Sequence, residues 1–261
     1  IELLRPGCRP PMAIGEVVGD AISGKNALKN IRFVDDSKGC LKVWQMPDQE
    51  RCTITDRYVV TVDIGGRSRS SDYSVIAVLD RAPMMKGGLP EIVAQWRGHD
   101  DHDIIAWKSA SIASWYHNAL LVVESNTLET DNIGGDPSLL ILNDISSHYR
   151  NLYTRQTFDG VTRSVKYGFH TNRATKTLAV SRLIALVRES GYIERDTDAL
   201  DEMMVFRKIG NSFGAADGYH DDILMTRAIG LLIVSEMPQP TEDDIKYFTS
   251  PVPMHERRLF L

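Results

Sequence analysis

Hydrophobic residues from position 58 onward fall into short runs that are separated by turn-forming segments. YVVTVDI, SVIAVLD and EIVAQWRG are rich in β-branched residues, which predicts three strands, the first two joined as a hairpin. ALLVVES is apolar throughout its first five residues, as a central strand covered on both faces should be. These runs predict the strands of one sheet.

Helical spacing follows the strand patterns. Apolar residues recur at that spacing in three segments, at 102–118, 174–190 and 219–235. Pro137 can open a further helix, at about 137–149. LYTRQ predicts another strand, and RSVKYGFHTN predicts a second hairpin. The order of these elements predicts an α/β fold, with a mixed sheet (antiparallel first three strands, then parallel) and helices on both faces.

The first part of the chain has a different character. Residues 1–57 are rich in turn formers and weakly periodic, so we interpret them as a linker or lead-in with a short helix at 12–23 and a strand at LKVW. The main domain is expected at 58–240, followed by a C-terminal tail at 241–261. Because the sequence lacks an initiator Met, we expect it to be a fragment of a longer polypeptide.

Composition changes this picture little. Hydrophobic residues make up 43% of the 261 residues and charged residues 25%, as in an ordinary globular protein. Three cysteines without a CxxC pair favour free thiols in a reducing compartment over disulfides or a zinc site. We find neither a run of about eighteen apolar residues nor a signal peptide. Neither a membrane span nor secretion is therefore expected.

The formal net charge of −5 conceals charges that are segregated along the chain. Seven Lys or Arg occur from Arg150 to Arg182 with a single acid, whereas 189–202 is acidic. Phosphate contacts supply most non-specific affinity for DNA, so the basic segment favours a nucleic-acid partner over a solvated surface with scattered ion pairs. The candidate DNA contacts are Lys166, Arg173 and Lys176 in this segment, and Arg67 and Arg69 in the first hairpin turn.

Carboxylates stand where predicted strands end and where the last helix begins. Asp63 ends the first core strand, Glu124 ends the apolar strand, and Asp221 and Asp222 open the last helix. Sites in α/β sheets form at the carboxyl ends of strands, so these acids meet if the two strands are neighbours. Each acid alone could be an ordinary turn former or a residue favoured by the helix dipole. Together they repel one another unless a cation compensates, and oxygen ligands favour Mg²⁺ or Mn²⁺.

Four segments resemble the motifs of phage terminase large-subunit nuclease domains, and they occur in the order of that family. The segments are YVVTVDIGGRSRSSDYSVIAVLD, LLVVESNTLET, GFHTN followed by ATKTLAV, and GYHDDILMTRAIGLL. The resemblance covers about residues 40–235. It implies a ribonuclease H-like fold and a metal-dependent endonuclease that cuts concatemeric double-stranded DNA during genome packaging.

The resemblance also implies which acids bind the metal. Asp63, Glu124 and one of Asp221 or Asp222 would be the ligands, and adjacent helical positions point about 100° apart. We favour Asp222, because the apolar ILM that follows it should pack the helix down. Two further candidates, expected around these ligands, are His220 and Asp72.

Cofactors and partners follow from the same resemblance. It implies two Mg²⁺ or Mn²⁺ ions, double-stranded DNA, and a packaging motor in the host cytoplasm with a small terminase subunit and a portal protein. An N-terminal packaging ATPase is expected to be missing from this chain, because GDAISGKN at 19–26 has Asn where a phosphate-binding loop has Ser or Thr. The alternatives are a resolvase, integrase or transposase of the same fold, an actin-like sugar kinase or ATPase suggested by VDIGG, and a non-catalytic module.

Overall fold

A computed structural model describes residues 1–48, 52–65, 72–125, 137–158, 163–209, 212–216 and 218–247. The strands are β1 (Ala13–Val18), β2 (Arg32–Asp35), β3 (Leu41–Val43), β4 (Cys52–Ile54), β5 (Tyr58–Asp63), β6 (Ser74–Asp80), β7 (Glu91–Gly98), β8 (Leu120–Val123), β9 (Thr154–Phe158), β10 (Arg163–Tyr167), β11 (Phe206–Ile209), β12 (Ser212–Ala215) and β13 (Ile245–Tyr247). The α-helices are α1 (His102–Trp115), α2 (Pro137–Ser146), α3 (Arg173–Glu189), α4 (Thr197–Val205) and α5 (Asp222–Glu236). Single 3-10 turns occur at Arg5–Gly7, Lys25–Leu28, Ala82–Lys86 and Glu242–Asp244.

A seven-stranded mixed sheet in the order β2-β1-β3-β7-β6-β5-β8 forms the centre of the molecule. β5, β6 and β7 pair antiparallel, and β8 pairs parallel with β5. The prediction of three antiparallel strands followed by a parallel one is confirmed. β4 and β13 form a separate antiparallel pair, as do β9 and β10, and β11 and β12.

Helices cover both faces of this sheet, as predicted. Residues of α1 pack with the inward side chains of β5, β6 and β8 in one apolar cluster that includes Trp96 and Trp115. Residues of α3, α4 and α5 pack in a second cluster against the other face, around Val59, Val75 and Leu79. Among the described residues, no helix combines the length and the apolarity that crossing a bilayer requires.

The N-terminal segment differs from its predicted structure. The helix expected at 12–23 is wrong, because β1 occupies Ala13–Val18 and pairs with both β2 and β3. Burial alternates along β1, with Gly15 and Val17 buried, which is the period of a strand rather than a helix. The strand expected at LKVW is confirmed by β3. The domain boundaries at 57 and 240 stay predictions. Strand β3 of the first segment pairs with β7, and β13 of the last segment pairs with β4 of the first.

Helix α5 is buried along almost its whole length, from Asp222 to Val234. Gly230 lets it approach β5 and β6 closely, since a Cβ there would lie 2.7 Å from Leu79 Cδ1. The Thr61 hydroxyl of β5 donates to the Thr226 carbonyl at 3.0 Å, which fixes the helix along the strand. These contacts determine where the first residue of α5 lies relative to the end of β5.

A fully buried ion pair anchors α5 to the segment after α3. Arg227 donates to both carboxylate oxygens of Glu194, from Nε at 3.1 Å and from Nη2 at 3.0 Å, and both side chains are 0% exposed. Glu194 also accepts from the backbone amides of Arg195 and Asp196. Such pairs stabilise a fold only while both partners and their hydrogen bonds are present.

Removing one partner of this pair should therefore destabilise the protein strongly. We expect Arg227→Met to lower the free energy of unfolding by about 3–5 kcal/mol, because it leaves the Glu194 carboxylate buried and uncompensated. Adding Glu194→Gln should recover part of the loss, and the exposed control Arg188→Met should change stability by less than about 0.5 kcal/mol. Urea denaturation measures all three, and equal effects of Arg227→Met and Arg188→Met would contradict the expectation.

Candidate metal centre

Asp63 and Glu124 lie side by side because β5 and β8 are neighbours. Val62 pairs with Val123 in the parallel register, and the Glu124 amide donates to the Val62 carbonyl at 2.9 Å. Both carboxylates therefore emerge at the carboxyl end of the sheet, where sites in α/β folds form. The adjacency on which the predicted site depended is present.

The environment of Asp63 is strongly unfavourable to its charged form. Burial raises the pKa of Asp63 well above its ordinary value, and the charge of Glu124 and a hydrogen bond with it raise the pKa further. The charges of Asp222 and Asp221 act in the same direction. The Asp63 carboxylate thus interacts with those of Glu124, Asp222 and Asp221, and such crowding of negative charge favours a cation.

Asp222 is the first residue of α5, and its carboxylate is buried. Its Oδ2 accepts a hydrogen bond from the Tyr73 amide at 2.9 Å, which ties the helix to the residue before β6. Burial raises the pKa of Asp222 to about 6, although the Tyr73 amide acts in the opposite direction. Asp222 therefore has a fixed position and an incompletely compensated charge.

Asp221 precedes the helix at the N-cap position but makes no side-chain capping hydrogen bond. Its Oδ2 instead lies 3.6 Å from the Nζ of Lys176 on α3. An ordinary helix cap is thus not the role of this carboxylate. Lys176, predicted as a DNA contact, lies beside the acidic cluster rather than at a distance from it.

His220 and Asp72, the two further candidates, lie next to Asp222. The His220 Nδ1 lies 3.0 Å from Asp72 Oδ1 and 3.9 Å from Asp222 Oδ2. One ligand atom from each of Asp72, His220 and Asp222 lies within 4.8 Å of the other two. Carboxylate oxygens suit Mg²⁺ or Mn²⁺ and an imidazole also suits transition metals, so the donor set fits a divalent ion.

Two of the other predicted DNA contacts lie at the surface. Lys166 on β10 and Arg173 at the start of α3 are both exposed. The chain reaches α3 through Phe169, whose backbone pairs with Ser125 and bridges Glu124, so α3 begins close to the acidic cluster. Arg67 and Arg69 lie outside the described residues.

Residues that the sequence analysis missed support α5 at the site. Glu202 on α4 is buried, and its Oε2 accepts from the Leu224 amide at 3.0 Å. Arg97 on β7 places Nη2 3.4 Å from Glu202 Oε1 and its guanidinium carbon 4.2 Å from the centre of the Tyr73 ring. α4 itself and the β11–β12 pair, with exposed Arg207 and Lys208, were not predicted either. No local sequence pattern marks these partners.

Comparison with known proteins connects this architecture to one group of structures. No protein-family model matches the chain, and no curated protein sequence matches it. Among solved structures, the magnesium-bound large terminase nuclease of the thermophilic phage G20c aligns at a TM-score of 0.52 with 20% identity, over 75% of this chain and 88% of its own. The chain has the terminase nuclease fold. The predicted ribonuclease H-like fold class is thereby confirmed.

Two other terminase nuclease structures align with lower scores. The nuclease domain of the P22 large terminase has a TM-score of 0.46 and 14% identity, over 77% of this chain and 91% of its own. The human cytomegalovirus terminase nuclease domain, soaked with manganese and bound to an inhibitor, has a TM-score of 0.47 and 10% identity, over 75% and 89%.

The buried Glu202 carboxyl predicts a pH dependence of stability. Burial raises its pKa from 4.5 to about 7, so the folded state holds a proton that the unfolded state releases between these values. Unfolding free energy should therefore fall as pH rises from about 4.5 to 7, and Glu202→Gln should be more stable than wild type at pH 8 by on the order of 3 kcal/mol. Urea melts in EDTA across this pH range measure the effect. The control is Glu189→Gln, at an exposed position. If the free energy of unfolding varied with pH in the same way for wild type and Glu202→Gln, the expected role of Glu202 would be contradicted.

Proposed function

We propose that this chain is a metal-dependent endonuclease that cuts concatemeric double-stranded DNA during viral genome packaging, using two Mg²⁺ or Mn²⁺ ions. The observation that carries the proposal is that Asp63 and Glu124 lie side by side at the ends of β5 and β8, close enough to Asp222 for its charge to raise the pKa of Asp63. Such crowding of carboxylates is unfavourable until a cation binds. The bound magnesium of the G20c nuclease supports the choice of metal.

Each acidic residue has a distinct part in this proposal. Asp63, Glu124 and Asp222 hold the ions, and Asp221 is a further candidate ligand. When bound, a pair of divalent ions activates water for attack on the phosphodiester and stabilises the leaving oxygen. Asp72 contacts His220 Nδ1 and thereby holds the imidazole ring beside the Asp222 carboxylate.

The substrate is expected to lie across the predicted basic DNA contacts. Lys166 and Arg173 are exposed and can each contact a backbone phosphate. Lys176 balances the charge of Asp221, so its removal should affect the acids as well as DNA. Arg67 and Arg69 stay candidates for the strand close to Asp63.

The proposal extends to the assembly in which the chain acts. The G20c neighbour is a large terminase nuclease, which supports placing this chain in a packaging motor. We propose a packaging ATPase as its N-terminal partner, a small terminase subunit and a portal protein as further partners, and the host cytoplasm as its location.

Plasmid cleavage tests the chemistry. The purified chain should nick and linearise supercoiled DNA with Mg²⁺ or Mn²⁺ and lose this activity in EDTA. Asp63→Asn should abolish cleavage and leave the metal-free protein as stable as wild type or more stable, because it relieves the repulsion around Asp63. Gel analysis and thermal melts of the same preparations measure both effects.

The matched control is Asp80→Asn, at the opposite end of the sheet. Asp80 pairs with Arg57 and accepts from the Ala82 amide, so its loss should lower the melting temperature and leave cleavage intact. Cleavage that persists in EDTA would contradict a metal-dependent mechanism. Hydrolysis of ATP by the chain would instead favour the actin-like kinase.

DNA binding should depend on the exposed basic residues without sequence preference. Replacing Lys166 and Arg173 with Ala should flatten the plot of log affinity against log salt by about 0.9 per lost phosphate contact, or about 1.8 in total. Fluorescence anisotropy with labelled duplex in Ca²⁺, which should bind without supporting cleavage, measures the slope. The control variant replaces Lys29 and Arg32, which are also exposed. Arg32 lies in β2, at the edge of the sheet opposite β8, and Lys29 precedes this strand. If the two double variants gave the same slope of log affinity against log salt, DNA would have to bind at other residues.

A further inference from the structure

Helix α5 receives its N-terminal cap from another helix. A helix start leaves backbone amides without intrahelical partners, and the side chain at the N-cap ordinarily accepts from one of them. Asp221 occupies the N-cap and makes no such bond. The third amide of the helix, that of Leu224, donates instead to Glu202 Oε2 of α4 at 3.0 Å.

This arrangement leaves the Asp221 carboxylate available to the acidic cluster. If Asp221 capped its own helix, its carboxylate would turn toward the Leu224 amide. With Glu202 in that position, Asp221 lies beside Lys176 and contributes to the raised pKa of Asp63. Because Glu202 of α4 caps the helix, both Asp221 and Asp222 can interact with the carboxylates at the ends of β5 and β8.

A closed set of contacts joins Glu202 to the carboxylate of Asp222. Glu202 Oε1 lies 3.4 Å from Arg97 Nη2, and the Arg97 guanidinium stacks on the Tyr73 ring at 4.2 Å. The Tyr73 amide donates to Asp222 Oδ2 at 2.9 Å. Asp222 is therefore held at its carboxylate by Tyr73, and its helical turn is held by Glu202, while Arg97 contacts both of these residues.

The burial of Glu202 makes its contacts important for the position of α5. Its side chain is only 9% exposed, and a buried carboxylate is tolerated only when hydrogen bonds and a counter-charge compensate its desolvation. Loss of the Leu224 bond or of Arg97 would remove part of the compensation that Glu202 has. The first turn of α5 would then move relative to β5, and Asp222 would move with it.

We propose that Glu202 and Arg97 are positioning residues that hold Asp222 in place for divalent metal and so determine the metal affinity of the site. The inference rests on the proposed metal-dependent function. Residues that orient metal ligands typically change metal affinity about 10–100-fold when they are replaced. Neither residue needs to touch metal or DNA for this effect.

Mn²⁺ binding to the purified chain tests the proposal independently of cleavage. Electron paramagnetic resonance of free Mn²⁺ gives the binding midpoint, and the Mn²⁺ concentration for half-maximal plasmid nicking gives a second one. Glu202→Leu, which removes the acceptor for the Leu224 amide, should raise both midpoints at least about tenfold. Glu202→Gln, which retains an acceptor oxygen, should stay within about threefold of wild type.

A matched control separates positioning from general loss of stability. Asp80 is also a buried carboxylate that pairs with an arginine and accepts from a backbone amide. It lies at the far end of β6, about 20 Å along the strand from Ser74 at about 3.3 Å per residue. Asp80→Leu should lower the melting temperature as Glu202→Leu does, with unchanged Mn²⁺ midpoints.

The outcomes distinguish this inference from the proposed function. Wild-type protein that neither binds Mn²⁺ nor nicks DNA would refute the proposed function itself. Wild-type binding together with equal midpoints for Glu202→Leu and Asp80→Leu would overturn only the positioning role. If Glu202→Leu does not fold, Arg97→Met decides, because it keeps most of the stem and removes both the contact with Glu202 and the stacking on Tyr73. A shift of its Mn²⁺ midpoint above about threefold supports the role, and an unchanged midpoint overturns it.

Discussion

Mutual repulsion among carboxylates at the ends of β5, β8 and α5 is the constraint to which the rest of the structure responds. Burial and neighbouring negative charge both raise the pKa of Asp63, so a metal-free protein stores unfavourable free energy at this place. Lys176 offsets part of it from α3, at 3.6 Å from Asp221. The remainder provides a driving force for cation binding, since a divalent ion removes the repulsion on arrival.

Holding acids together against this repulsion requires anchors outside the site. α5 carries Asp222 at its first residue and is fixed by its buried length, by the Thr61 hydroxyl and by the Arg227–Glu194 pair. Glu202 and Tyr73 complete the fixation at the first turn. The packing of the hydrophobic layers thus keeps these carboxylates close together, although their charges repel one another.

Sequence patterns were sufficient for the parts of this architecture that depend on local periodicity. The strands β5 to β8, their pairing and the acids at their ends follow from runs such as YVVTVD and LLVV, whose burial on both faces leaves a clear signal. The supports of α5 were missed because Tyr73 and Asp222 are 149 residues apart and Glu202 and Leu224 are 22 apart. The alternation along residues 13–18 is too short to distinguish a strand from a helix, and the pairing with β2 and β3 decides the structure of β1.

The position of β5 within the sheet has a consequence for the dynamics of the centre. β5 is hydrogen-bonded to β6 on one edge and to β8 on the other, so its amides should exchange with solvent hydrogen only through global opening. The first turn of α5 is held instead by side-chain contacts that involve Glu202, Arg97 and Tyr73. Asp63 thus owes its position to backbone pairing within the sheet, whereas Asp222 owes its position to side chains from other elements. Substitutions outside β5 and α5 can therefore displace Asp222 while they leave Asp63 in place.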